Sequence, residues 1–191
     1  MAEVPIVKPK DINLQTHRFI LRPLTEDDAG DLYKNVKEYD IARWLVNLPY
    51  PYPDDGAIKY IKQCQELMKK GESYELAIQL KSTEEVIGVM AFVRVDKKHK
   101  NAELGYWTAK KYWSQGIATE AGMRILEFGF DVLNLERIYS KCFCENTASK
   151  RVMEKLGMAY EGKSRHEVFK ENRFIDLFYY AIIREDWETG R

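Results

Sequence analysis

Apolar residues recur along this chain at two spacings, every second position or every third to fourth, and the switches between them mark the elements. Arg18–Leu24 alternates as a half-buried strand does. Thr25 follows as an N-cap with Asp27 and Asp28 in the first turn, so a helix is expected to about Glu38. Pro49, Pro51 and Pro53 fall at every second position and exclude a helix, leaving an extended loop that carries Tyr50 and Tyr52. A second helix is expected from Asp54 to Lys70, closed by Gly71. Tyr74–Leu80 and Val86–Val95, separated by a polar stretch, form a hairpin, and a charged turn at 96–100 leads into a strand at Ala102–Thr108. From Gly116 to about Leu133, Ala118, Ala121, Ile125, Phe128 and Val132 recur at helical spacing and predict one buried stripe. Arg137–Cys144 is a strand. Asn146–Leu156 is a helix with Asn146 as its cap and Gly157 just past its end, and strands at Met158–Phe169 and Phe174–Ile183 complete the chain.

This order predicts an α+β (mixed α/β) fold with a largely antiparallel sheet, in which the strand–helix–strand passage inserts one parallel pair. The chain has 191 residues, enough for one domain burying roughly 70% of its unfolded surface. Residues 1–16 are expected as an N-terminal tail and 17–191 as a single domain. Thirty basic residues offset thirty acidic ones, and nothing in that balance asks for nucleic acid. Cys64, Cys142 and Cys144 are an odd, sparse set, which suggests a reducing cytosol and packed thiols. His17, His99 and His166 lack metal-ligand spacing, so no metal is expected. No apolar run approaches a membrane span and none opens the chain, so a cytoplasmic protein without a membrane partner is expected.

Two stretches carry chemistry. Glu103–Ala121 reads as strand, polar turn, and helix opening on a glycine. A helix N-terminus has unpaired N–H groups and about half a positive charge, which together bind phosphate without a basic side chain. Glu145–Gly157 repeats the arrangement some thirty residues on, with Asn146 at the helix start. Two strands reaching one edge, each followed by a helix N-terminus, make a cleft where they part.

At these stretches the chain resembles the GNAT superfamily of acetyl-CoA-dependent N-acetyltransferases, and within it the Rim-type branch that acetylates N-terminal amines of ribosomal proteins. Four pieces carry the resemblance over about residues 17–187: Arg18-Phe-Ile-Leu-Arg-Pro-Leu24, Ala102-Glu-Leu-Gly-Tyr-Trp107, Gln115-Gly-Ile-Ala-Thr-Glu-Ala121 and Asn146-Thr-Ala-Ser-Lys-Arg-Val-Met-Glu-Lys-Leu-Gly157. The resemblance implies a twisted sheet with helices on both faces and a parallel pair splayed at a CoA cleft. It implies that amides of Ser114, Gln115, Gly116, Ile117, Ala118 and Thr119 hold the pyrophosphate of acetyl-CoA. Tyr106, Trp107 and Thr108 would lie along the pantetheine arm, with Asn146 on its other side and Ser149 nearby. The superfamily's loop usually begins with Arg or Gln and has a second glycine. Here Trp113 and Ser114 open it and Ala118 stands where a glycine often sits, so backbone amides must carry the recognition. Lys110, Lys111 and Lys150 are either extra charges for the phosphates or solvated surface lysines.

Acetyl transfer needs a neutral amine, a stabilised thioester oxygen and a departing thiolate. An α-amine, with a pKa near ~7.7–8.0, needs only a weak base. Glu103 is the candidate base, on the strand face shared by Gly105 and Trp107; an ion-paired strand glutamate is its plainer reading. Many members of the superfamily carry an acidic tyrosine seven residues after the asparagine, where this chain has Met153; Ser149 is the nearest replacement. Trp44, Tyr50, Tyr52 and Phe174 are candidates for an acceptor slot, with Glu167 and Asp176 to attract an amine. The expected function is transfer of acetyl to a primary amine, on a peptide N-terminus or a small molecule, by direct attack in a ternary complex. A CoA-binding sensor without turnover is the alternative. A homodimer is a reasonable expectation from the exposed strand edges.

Overall fold

The computed structural model describes residues 3–190. Eight strands form one sheet: β1 (Leu14–Gln15), β2 (Phe19–Pro23), β3 (Tyr74–Leu80), β4 (Val86–Asp96), β5 (Asn101–Thr108), β6 (Arg137–Phe143), β7 (Ala159–Lys170) and β8 (Arg173–Ile183). Their spatial order is β1-β2-β3-β4-β5-β6-β8-β7. Every neighbouring pair is antiparallel except β5 and β6. The α+β class and the single parallel pair are therefore as expected. The crossover between those two strands is helical, as a parallel pair requires.

Alternation along the strands sends side chains to two separate cores. Leu76, Ile78, Met90, Phe92, Leu104 and Ile138 pack beneath α4 (Ile117–Glu127) and α5 (Thr147–Lys155). Ala77, Val89 and Ala91 lie on the other face beneath α1 (Ala29–Val36) and α3 (Gly56–Lys70). Helices thus cover both faces. Each fully buried aliphatic side chain contributes about 1.5–3 kcal/mol. The two short helices are α2 (Tyr39–Ala42) and α6 (Arg184–Thr189), the latter held to the turn after α4 by Trp187 stacking on Phe130 at 5.4 Å.

Three segments differ from the reading of the sequence, each for a physical reason. The first helix begins as a 3₁₀ turn at Glu26–Asp28, where the Asp28 carboxylate accepts the Thr25 N–H at 2.8 Å and tightens the start. The stretch read as a tail packs on the sheet: Leu14 pairs with Leu21, and Val4, Ile12 and Leu14 are buried. Scattered apolar residues in a short segment give no periodicity to detect. The long helix after Gly116 ends in a π-helical turn at Phe128–Val132, closed by Leu133 N–H to the Phe128 carbonyl at 2.9 Å. That wider turn rotates the stripe by about one residue, so Val132, expected inside, is 48% exposed while Leu133 is fully buried.

One glycine sets the position of the site. A Cβ on Gly88 in β4 would stand 2.3 Å from the Trp107 carbonyl oxygen. Only a hydrogen fits there, and the close approach fixes the end of β5.

Candidate functional site

The parallel ladder runs from Asn101↔Arg137 to Leu104↔Ser140 and stops, although β5 continues to Thr108 and β6 to Phe143. At the last pair the Ser140 hydroxyl donates to the Leu104 carbonyl at 2.8 Å. A bulge in β4 between Phe92 and Arg94 faces this point, and bulges add local twist. Beyond it the two strands part. The edge of β5 from Gly105 to Thr108 has no β6 residue paired to it, so its main chain can pair with an extended ligand.

At the end of β5 the chain turns through a 3₁₀ segment, Lys110–Tyr112, into an exposed loop at 113–116. The Trp113 indole N–H donates to the Thr108 carbonyl at 2.8 Å and the Gln115 amide to the Lys111 carbonyl at 2.9 Å, which close the loop on itself. Ser114 and Gly116 both have left-handed backbones, with φ of 61° and 74°. Loops that mix left- and right-handed residues before a helix turn successive N–H groups to one side and make anion-binding concavities. Ile117 is buried, so only its backbone can serve the loop, while Ala118 and Thr119 are half-buried on the first turn of α4.

Across the gap, the Asn146 side chain accepts the Ser149 N–H at 3.0 Å and caps α5. The Tyr106 hydroxyl lies 2.8 Å from Ser149 Oγ and 3.1 Å from the Ser149 carbonyl, joining β5 to α5. Burial pushes the Tyr106 phenol well above its ordinary value, so it stays protonated. Burial likewise pushes the neighbouring Cys142 thiol up to about 11, which makes it a packed thiol rather than a nucleophile at neutral pH. Met153 is fully buried in the core beneath α5.

Glu103 projects to the opposite face, as does Trp107, which packs against the core under α1 and α3. The Glu103 carboxylate takes a long 3.4 Å contact from the Tyr139 hydroxyl and lies 3.4 Å from Lys141 Nζ. Lys141 also reaches Glu167 at 3.9 Å, and Glu167 accepts a short hydrogen bond from Tyr179. Glu103 is thus ion-paired, one position before the last pair of the parallel ladder.

The four aromatic residues considered for an acceptor slot each pack on a different ring. Trp44 packs on Phe143 at 6.3 Å, Tyr52 on Tyr33 at 6.1 Å, Tyr50 on Tyr39 at 5.1 Å, and Phe174 on His166 at 5.3 Å. Asp176 is tied to Lys163 at 2.6 Å. The lysines flanking the loop are engaged as well: Lys110 with Asp40 at 2.6 Å, Lys111 with Glu85 at 2.7 Å, and Lys150 with Glu154 at 3.8 Å. A cavity of about 540 Å³ between the N-terminal segment, β2 and α3 contains none of the candidate residues. The residues missed are Arg18, which bonds to the loop, and Tyr139 and Lys141, which hold Glu103. Only Arg18 left a trace in the sequence, as the first residue of the Arg18–Leu24 segment.

A mixed sheet of this topology, parted at one parallel pair below two helix N-termini, has the architecture of the acyl-CoA-dependent acetyltransferases. The chain belongs to the GNAT acetyltransferase family, whose model, described as an acetyltransferase (GNAT) domain, matches residues 18–159. It is 33% identical over 162 residues to the uncharacterized N-acetyltransferase YnaD of Bacillus subtilis, covering 80% of this chain and 94% of that one. It is 28% identical over 165 residues to the ribosomal-protein-serine acetyltransferase of Escherichia coli, covering 85% and 91%. The fold matches that of the microcin C7 self-immunity acetyltransferase MccE, solved with acetyl-CoA and AMP, at a TM-score of 0.80 and 20% identity over 88% of this chain and 93% of that one. The protein is an acetyl-CoA-dependent acetyltransferase, and the Rim-type branch fits it.

Proposed function

We propose that this protein transfers an acetyl group to a primary amine, a peptide N-terminus or a small molecule, by direct attack in a ternary complex. The observation that carries the reading is the free β5 edge at 105–108, which runs straight into the left-handed loop before α4. Acetyl-CoA supplies the activated thioester. The amides of Ser114 to Thr119 receive its pyrophosphate, the Tyr106–Thr108 edge and Asn146 flank its pantetheine arm, and a main-chain N–H near Trp107 or Thr108 faces the thioester oxygen. Glu103 takes the acceptor's proton, directly or through one water. The amine nitrogen bonds to the acetyl carbon as the carbon–sulfur bond breaks, and the sulfur leaves as thiolate.

Ser149 lies one turn before Met153 on α5, and in this reading its hydroxyl, 2.8 Å from that of Tyr106, hydrogen-bonds the departing sulfur. A thiolate leaves tolerably well unaided, with a pKa near ~8.5. Ser149→Ala is therefore expected to lower kcat by about 3- to 10-fold with little change in KM for acetyl-CoA, as one neutral hydrogen bond would. A loss of several hundred-fold in steady-state rate would instead make Ser149 the obligatory proton donor.

CoA release measured with a panel of amines, including peptides with free N-termini, amino acids and polyamines, tests the function itself. Turnover on one acceptor class with sequential kinetics is the expected result. Tight acetyl-CoA binding without turnover on any amine would overturn it in favour of a binding module, and ping-pong kinetics would overturn direct attack.

A further inference from the structure

The loop at 113–119 contains no basic side chain, and the lysines flanking it are turned to carboxylates. A cation nevertheless stands at the loop, delivered from the far end of the sheet. Arg18, one residue before β2, donates from Nη1 to the Gln115 carbonyl at 2.9 Å, across 97 residues of sequence. Its Nε donates to Glu120 Oε2 at 2.7 Å, and its backbone N–H to Glu120 Oε1 at 3.3 Å. Glu120 lies on the first turn of α4, so one arginine holds both the loop and the helix that follows. The remaining guanidinium nitrogen, Nη2, stands 3.7 Å from where a Cβ on Gly116 would be. The guanidinium therefore lies against the Gln115–Gly116 backbone.

The pair is half-exposed, with side-chain exposures of 36% for Arg18 and 27% for Glu120. Burial works to raise the Glu120 carboxyl, but hydrogen bonds from Thr16 and Arg18 outweigh it and hold the group below its ordinary range. Glu120 is thus an ionised anchor that fixes the planar fork of Arg18, and a fixed fork keeps Nη2 on the loop side. Gln115 matters for the same reason: its carbonyl, drawn toward Arg18, and the Gly116 N–H belong to one planar trans peptide and point oppositely, so the contact turns that N–H to the side away from the guanidinium.

We infer that Arg18 is a positioning residue for the phosphate loop, a guanidinium supplied from the residue before β2 in place of one within the loop. It holds the Gln115–Gly116 peptide in its anion-binding orientation, with the carbonyl on the guanidinium and the Gly116 N–H turned to the other side. The inference rests on the reading of 114–119 as the pyrophosphate site.

The full-length enzyme tests it, with CoA as the binding probe and acetyl-CoA and acetyl-pantetheine as donors. Arg18→Met is expected to raise the Kd for CoA and the KM for acetyl-CoA about 10- to 30-fold with kcat changed less than about threefold, as loss of a charge-assisted contact does. With acetyl-pantetheine, which lacks the nucleotide and its phosphates, kcat/KM should stay within about twofold of the unmodified enzyme, since a phosphate contact is not made. Arg18→Lys keeps the charge and loses the fork, so a smaller rise of about 3- to 10-fold is expected, shrinking as salt is raised. An unchanged KM for acetyl-CoA, or an equal loss with both donors, overturns the inference. If Arg18→Met does not fold, Arg18→Lys and Glu120→Gln decide it by the same donor comparison. Gly116→Val separates the two levels. If it leaves CoA affinity intact, the pyrophosphate site is elsewhere; if it abolishes affinity while Arg18→Met does nothing, only the role of Arg18 falls.

Discussion

Gly116→Val is expected to weaken CoA binding by about 100-fold or more while leaving the fold intact, because a β-branched residue is strongly disfavoured in a left-handed backbone. The obstacle is conformation rather than space: the nearest atom to a Cβ there is Arg18 Nη2 at 3.7 Å, whereas φ is 74°. Valine would pull the residue toward negative φ and rotate the amides at the start of α4 away from one another. Holding a side chain in this left-handed backbone costs about 1–3 kcal/mol, and each amide turned away forfeits a charge-assisted hydrogen bond worth about 1.5–3 kcal/mol, so Gly116→Ala should show a weaker version of the same defect. Calorimetric titration with CoA measures the affinity, and a thermal melt run alongside measures the fold. Affinity unchanged in the valine variant would remove the loop from the site. A collapse of the melting temperature would mean that the glycine serves the helix start alone.

The second large effect is on the chemical step. Glu103→Gln is expected to lower kcat by about 10²- to 10⁴-fold, the usual contribution of a positioned general base, with KM for acetyl-CoA nearly unchanged. The substitution is close to isosteric and keeps an acceptor oxygen for Tyr139, which lies 3.4 Å away. It removes the negative charge that faces Lys141 at 3.4 Å. Steady-state CoA release at saturating acceptor reads the outcome. If kcat is unaffected, Glu103 is only the ion-paired strand residue that its neighbours suggest, and an amine of low pKa would then need no base from the protein.

Most of the elements could be read from the sequence because each rests on short-range physics. The strands alternate, α3 ends at Gly71 with φ 63°, and α5 begins at Asn146, whose side chain caps it. What could not be read depends on contacts between distant segments. Val132 faces solvent because a π-helical turn shifts the register, and that turn follows from how Phe128, Phe130 and Leu133 fit the core. The N-terminal segment packs because Val4, Ile12 and Leu14 find a core that their own spacing does not announce. The aromatic residues near the acceptor side looked alike in sequence, yet Trp44 joins a buried cluster with Phe143 while Phe174 is 59% exposed on the final hairpin.

The candidate site divides in the same way. The loop and its glycine, the strand before them and the capped helix after are local features, since turn conformation, strand alternation and capping each depend on a few consecutive residues. The sequence by itself therefore determined the family, the sheet with one parallel pair, and the phosphate-loop candidate at 114–119. Where the strands part is a different matter: the ladder ends at the Leu104↔Ser140 pair, opposite a bulge in a neighbouring strand. Tertiary structure alone decided that Glu103 faces Tyr139 and Lys141, that the flanking lysines are engaged elsewhere, and that Arg18 reaches the loop across 97 residues. Hydrogen bonds and ion pairs act over a few ångströms of space whatever the separation along the chain, so these partners exist only once the sheet has brought its strands together.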